Sequence, residues 1–122
     1  MDYEGRRVLV AVSAGIAAYK ACEAVSALVG RGCSVRVIMT PEATKFVGPL
    51  TFEALTGKKV YSDTFDYSDD ASIKHIVFAQ EAEAAIVAPA TADVIAKMAC
   101  GIADDMVSST LLATTCPIIV CP

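Results

Sequence analysis

Short apolar runs recur along the chain at 7–13 (RVLVAVS), 34–39 (SVRVIM), 59–61 (KVY), 84–88 (AAIVA) and 118–121 (IIVC). Each has strand length and lacks the strict alternation of a half-exposed strand, which predicts strands covered on both faces. Between the runs the spacing becomes helical. Ala17, Ala21, Ala24, Val25 and Leu28 form one stripe of a 3.6-residue period, and Gly30 and Gly32 stop that helix. Pro41 to Phe46 predicts a short helical turn, and Pro49 opens a helix through Leu55 that Gly57 closes. Ile73, Ile76, Val77 and Gln80 suit a helix over 73–83. The next helix, over 92–99, has Thr91 as its cap and Ile95, Ala96 and Ala99 as its inward face. A last helix carries Val107, Leu111 and Thr114 and takes Asp104 as its cap. The stretch 62–72 (SDTFDYSDDAS) holds four Asp and reads as a surface loop.

Strand, tight turn, helix, Gly stop and strand make a βαβ unit, so the first two strands are expected to be parallel. Continued, the pattern predicts an α/β fold: a three-layer, Rossmann-like (flavodoxin-like) open parallel sheet of about five strands. The expected order is 3-2-1-4-5, numbered along the chain. A single domain over 1–122 accommodates all of it, and the end at Pro122, on the carboxyl edge of a strand, is read as lacking a C-terminal segment.

Composition narrows the class. Hydrophobic residues make up 55%, enough for a sheet covered by helices. Ten basic against fourteen acidic residues give a net charge of −4, which removes the basic stripe that a nucleic-acid binder needs. The longest uncharged stretch, 106–122, is broken by Ser, Thr and Pro and falls short of the ~20 apolar residues of a membrane span. With no basic-then-apolar leader, a cytoplasmic location is expected. Five cysteines without a CxxC pair, beside one histidine, read as small buried residues in a reducing compartment and not as a metal site.

Open parallel sheets place ligands beyond the carboxyl ends of their strands. After the first strand comes Ser13-Ala14-Gly15-Ile16-Ala17-Ala18, where Gly15 permits close backbone approach and the following helix offers free N–H groups to an anion. The loop lacks GxGxxG, and the second strand ends in Met39-Thr40 with no ribose-binding acid, so a dinucleotide is disfavoured and a single-phosphate ligand fits. A purely structural tight turn fits equally. After the 84–88 strand, Ala88-Pro89-Ala90-Thr91-Ala92-Asp93 lets a flat ring lie against backbone, or simply caps a helix. His75 stands near the same edge; a lone histidine is an acid–base candidate or an ordinary surface or core residue.

Six segments carry a resemblance that covers nearly the whole chain. GIAAYK (15–20), MTPEATKFVGPLTFEALTG (39–57), His75-Ile76, APATAD (88–93), GIADD (101–105) and LLATTCPIIVCP (111–122) closely resemble the flavin-containing cysteine decarboxylases. Within that family they are most similar to the phosphopantothenoylcysteine decarboxylase branch, part of a bacterial bifunctional coenzyme A biosynthesis flavoprotein. The resemblance implies FMN as cofactor. It puts Ser13, Ala14, Gly15 and Ile16 around the FMN phosphate and ribityl chain, Thr40 beyond the second strand, Phe46 near the ring, and Thr91, Ala92 and Asp93 along the flavin. It makes His75 the active-site histidine.

The implied reaction converts 4'-phosphopantothenoyl-L-cysteine to 4'-phosphopantetheine. In it the thiol-bearing carbon is oxidised to a thioaldehyde, CO₂ leaves, and the electrons return from the reduced flavin. The implied partners are a phosphorylated small molecule and further copies of the chain, as a homotrimer or dodecamer. The family's later substrate-orienting segment and flap cysteine are not within these 122 residues. This form is therefore expected to hold FMN weakly and to be impaired. A flavin prenyltransferase, a peptidyl-cysteine decarboxylase and a non-catalytic flavin-binding regulatory subunit are the alternatives on the same fold.

Overall fold

The computed structural model describes residues 3–63 and 74–122, with 74 and 75 described by their backbone alone. Four strands, β1 (Arg7–Val12), β2 (Ser34–Met39), β3 (Ala84–Val87) and β4 (Ile118–Val120), form one parallel sheet in the order β2-β1-β3-β4. Helix α1 (Ala18–Gly30) connects β1 to β2, and α2 (Pro49–Thr56) and α3 (Lys74–Glu81) lie between β2 and β3. Helices α4 (Ala92–Cys100) and α5 (Met106–Ala113) lie between β3 and β4. The central strand β1 carries two ladders, with Val8 opposite both Val35 and Ala84.

Alternation along β1 builds two cores. Leu9 and Ala11 pack with Ile38, Phe78, Val87 and Met106 under α3, α4 and α5. Val10 and Val12 pack with Val25, Val37, Met39 and Phe52 under α1 and α2. Helices on both faces require the continuous apolar runs seen in the sequence, because neither side of the strand meets water. The edge departs from that rule. Ile86 and Ile119, the latter 54% exposed, border an open apolar groove of ≈ 660 Å³ beside Ala24, Ala27 and Leu28 of α1.

The strand expected at 59–61 is reduced to a single parallel bridge, Ile38 to Tyr61, outside β2. Counting that bridge, the expected order stands. The side chains of α2 take the donors of this segment: Val60 N–H donates to the Glu53 carboxylate at 3.0 Å, and Lys58 N–H to Thr56 Oγ1 at 3.2 Å.

Helix ends follow local chemistry. Gly57, at φ +71, closes α2, and Pro49 occupies its first turn. Thr91 caps α4, its Oγ1 accepting from Val94 N–H at 3.3 Å. The cap of α5 is Asp105 and not Asp104. Ser108 N–H donates to Asp105 Oδ1 at 2.7 Å and Asp105 N–H donates to Ser108 Oγ at 3.0 Å, and that reciprocal box selects Asp105.

Helix faces depart only in part from the expected stripes: Ala21, Val25 and Leu28 of α1 and Val77 of α3 do pack on the cores. Helix α1 buries Ala18, Ala21 and Val25 while Ala17 and Ala24 are exposed; α4 buries Val94 and leaves Ile95, Ala96 and Ala99 exposed. In α3, Phe78 and Ala79 point inward, with Ile76 and Gln80 outward. One position turns a side chain by about 100°, so small apolar residues all round a helix leave its inward face to packing.

All five cysteines are free, but only Cys33 is buried; Cys22 and Cys116 are half-buried, and Cys100 and Cys121 are exposed. Among the described residues no helix is long and apolar enough to cross a membrane. The expected acidic loop lies from 64 onward outside the described residues, as does the expected helix start at Ile73.

Phe52 is completely buried and anchors α2 on the sheet. Phe52→Ala is expected to lower the unfolding free energy by about 3–5 kcal/mol, read by urea denaturation.

Candidate functional site

The turns after β1, β2 and β3 meet at the carboxyl edge of the sheet. Ladder bonds run up to that edge: Thr40 N–H donates to the Val12 carbonyl at 3.0 Å, and Ala88 N–H to Ala11 at 2.9 Å. Ser13 joins the first and third turns. Its buried hydroxyl donates to the Pro89 carbonyl and accepts from Thr91 N–H at 3.1 Å, with both partners more than seventy residues away in sequence. The hydroxyl proton of Ser13 is thereby committed to the scaffold.

The turn over 14–17 is differently placed. Ala18 N–H closes it on the Gly15 carbonyl at 2.9 Å, and α1 begins there, slightly later than the sequence suggests. Among the described residues, no acceptor within the chain takes the backbone N–H of Ala14, Gly15, Ile16 or Ala17. Four unpartnered donors ahead of a helix suit an anion. A Cβ built on Gly15 would meet only Pro89 Cγ, at 3.8 Å, so the protein's own packing does not demand glycine there. The open space lies outside the fold.

A cleft of ≈ 270 Å³ opens beside this turn, lined by Ser13, Ala14, Thr40, Glu42, Thr91, Asp93, Val94 and Asp105. Thr40 Oγ1 accepts from Ala43 N–H at 3.2 Å and Thr91 Oγ1 from Val94 N–H at 3.3 Å. Each of those two hydroxyls keeps its proton for a ligand.

The structure thus gathers five of the expected residues, Ser13, Ala14, Thr40, Thr91 and Asp93, at one cleft. Gly15 and Ile16 continue the turn beyond the lining, and Ile16 is 80% exposed. Ala92 starts α4. Phe46 ends the 3-10 turn Glu42–Lys45, about half exposed and outside the lining. His75 stands in the first turn of α3. That helix ends at the opposite edge, where Arg7 Nε donates to the Glu81 carbonyl at 2.7 Å, so its first turn points toward the cleft edge.

Sequence reasoning missed Glu42, Asp105 and Lys97 as neighbours of the site. Lys97 Nζ lies 3.3 Å from Asp93, 3.1 Å from Asp104 and 3.6 Å from Asp105. The hydrogen bond with Asp104 and the nearby carboxylates hold its ammonium above the ordinary lysine range, and the same bond holds the Asp104 carboxyl low. The signal was present as the spacing of Asp93 and Lys97, four apart on one helix.

The three-layer parallel sheet is shared with solved structures of similar proteins. The whole chain, residues 1–122, matches the family described as Flavoprotein, and the chain belongs to that family. The coenzyme A biosynthesis bifunctional protein CoaBC of Bacillus subtilis is 55% identical over 117 residues, covering 96% of this chain and 29% of that protein. CoaBC of Vibrio cholerae is 42% identical over 118 residues, covering 97% of this chain and 30% of its own length. The chain thus spans less than a third of these relatives. The solved structure of SpaF, an FMN-dependent cysteine decarboxylase, superposes with a TM-score of 0.84 at 33% identity, covering 94% of this chain and 66% of that one.

Two substitutions separate scaffold from ligand contacts. Ser13→Ala removes the acceptor of Thr91 N–H and is expected to cost about 1–3 kcal/mol in urea unfolding. Gly15→Ala is expected to leave ligand-free stability unchanged or raise it by up to ~1 kcal/mol, since no positive φ or clash opposes it. A large loss for Gly15→Ala would make that glycine part of the scaffold.

Proposed function

We propose that this chain is a single FMN-binding domain that decarboxylates 4'-phosphopantothenoyl-L-cysteine to 4'-phosphopantetheine in coenzyme A biosynthesis, in the cytoplasm. The observation that carries the reading is the set of unpartnered N–H groups at 14–17 beside the free hydroxyl protons of Thr40 and Thr91. It is supported by family membership and by the CoaBC and FMN-dependent relatives.

The residues present fit such a cofactor. The N–H groups of Ala14, Gly15, Ile16 and Ala17 would hold its phosphate without a basic side chain, as helix N-termini do elsewhere. Thr40 and Thr91 would donate to oxygens of its chain or ring, and Asp93 would accept from a ring N–H. Ala14, Gly15 and Ala92 keep that wall low, and Phe46 would cover an apolar surface. When bound, the flavin supplies the two-electron sink that makes loss of CO₂ from a cysteine carboxylate feasible. His75, the one histidine of the sequence, is the acid–base group and would hold the substrate carboxylate or move a proton. Exposed Ile16, Leu50, Ile95 and Leu112 support assembly with further copies, as a homotrimer or dodecamer.

FMN titrated into the purified chain is expected to show quenched flavin fluorescence with saturation. Absence of saturable binding removes the flavin reading. Decarboxylation is read as CO₂ released from phosphopantothenoylcysteine, by this chain and by a chimera in which it replaces the matching segment of the Bacillus subtilis relative. His75→Asn is expected to lower turnover by about 10²–10⁴-fold with FMN affinity retained; unchanged turnover removes His75 from the chemistry.

A further inference from the structure

Among the described residues, five charged side chains lie together beside the cleft, and only one of them is a cation. Glu42, Asp93 and Asp105 line the cleft itself, while Lys97 and Asp104 join them in the hollow immediately outside it. Asp93 stands in the first turn of α4 and Asp105 caps α5, so the two wall carboxylates belong to different helices. Lys97 reaches both, at 3.3 and 3.6 Å, and also Asp104 at 3.1 Å. Its side chain is only 19% exposed although it carries a full charge. Asp105 has its other oxygen engaged: Oδ1 accepts from the backbone N–H and the hydroxyl of Ser108, at 2.7 and 2.8 Å. Among the described residues, the 74%-exposed Asp93 side chain takes no backbone donor, and Lys97 one turn further along α4 restrains it at 3.3 Å.

We propose that Lys97 is a positioning residue that ties Asp93 to the α5 cap as one wall of the cleft and offsets the wall's negative charge toward an anionic flavin nucleotide. The inference rests on the flavin reading above. Without the ammonium, Asp93, Asp104 and Asp105, which lie 3.3, 3.1 and 3.6 Å from it, repel one another, and Asp93 turns out to solvent. The wall then presents unneutralised carboxylates to an incoming phosphate ester. Arginine preserves the charge and can span several carboxylates; methionine preserves the length of the stem without the charge.

The test is FMN affinity of the chain by fluorescence quenching, with thermal unfolding of each ligand-free variant alongside. Lys97→Met is expected to weaken FMN on the order of tenfold, and Lys97→Arg to recover most of the loss. Adding Asp104→Asn to Lys97→Met is expected to recover part of it by removing one repelling charge. Raising NaCl from ~0.05 to ~0.5 M is expected to narrow the gap between Lys97→Met and wild type, because salt screens the exposed carboxylates. A side chain that served only as packing would show neither recovery nor salt dependence. If Lys97→Met does not fold, Lys97→Gln, which keeps the stem and a polar end without the charge, supplies the reading, and wild-type affinity in that folded variant overturns the proposal. Wild-type affinity in a folded Lys97→Met overturns it as well and leaves the flavin reading intact. No FMN binding by the wild-type chain overturns both.

Discussion

Ser13 closes the central strand, and its hydroxyl is engaged at both ends, toward the Pro89 carbonyl and from the Thr91 N–H. A buried hydroxyl and a buried amide each need such a partner, since an unmet one costs about 1–3 kcal/mol. The contact therefore fixes the distance between the turn after β1 and the turn after β3. The start of α4, the position of the Thr91 hydroxyl and the width of the cleft depend on that distance. One side chain thus holds two turns, the start of α4 and the Thr91 hydroxyl in register.

Beneath that edge, the sheet works as a partition. Alternate residues of β1 enter different interiors, Leu9 and Ala11 to one side and Val10 and Val12 to the other. A shift by one residue would exchange the two sets, so register is strongly specified. The polar edge is arranged with the same separation of duties. Ser13 and Ser108 serve the backbone, Thr40 and Thr91 serve the backbone with their oxygens while keeping their protons, and Lys97 serves the carboxylates. Few groups on the cleft wall are left to arrange themselves when a ligand arrives.

The strands, their order and the caps at Gly57 and Thr91 were legible because each is written in a local pattern: a short apolar run, a glycine past a helix, a threonine before one. Helix faces were less so. Helices α1 and α4 carry alanine or isoleucine on several sides, and the choice of Ala18 over Ala17, or Val94 over Ile95, is made by the sheet they pack on. Asp104 and Asp105 are equivalent caps in sequence, and the Ser108 side chain decides between them. The exposed cysteines Cys100 and Cys121 show the limit of reading burial from residue type. At the cleft, the turn residues could be named because position beyond a strand end is a topological property. For Lys97 only the spacing from Asp93 was legible; its pairing with Asp104 and Asp105 depends on that segment folding back across a loop onto α4.

The Ser13 contact also bears on energetics. The turns it joins are distant along the chain, so their N–H and hydroxyl donors converge only after the sheet has assembled. A molecule seated across them recognises the native state and has no counterpart surface in the unfolded ensemble. By mass action, at a hundredfold excess over its dissociation constant it would add about 2.7 kcal/mol to unfolding. For a small domain that increment is a substantial part of the total stability, and the melting temperature of the whole sheet becomes a gauge of occupancy at its rim.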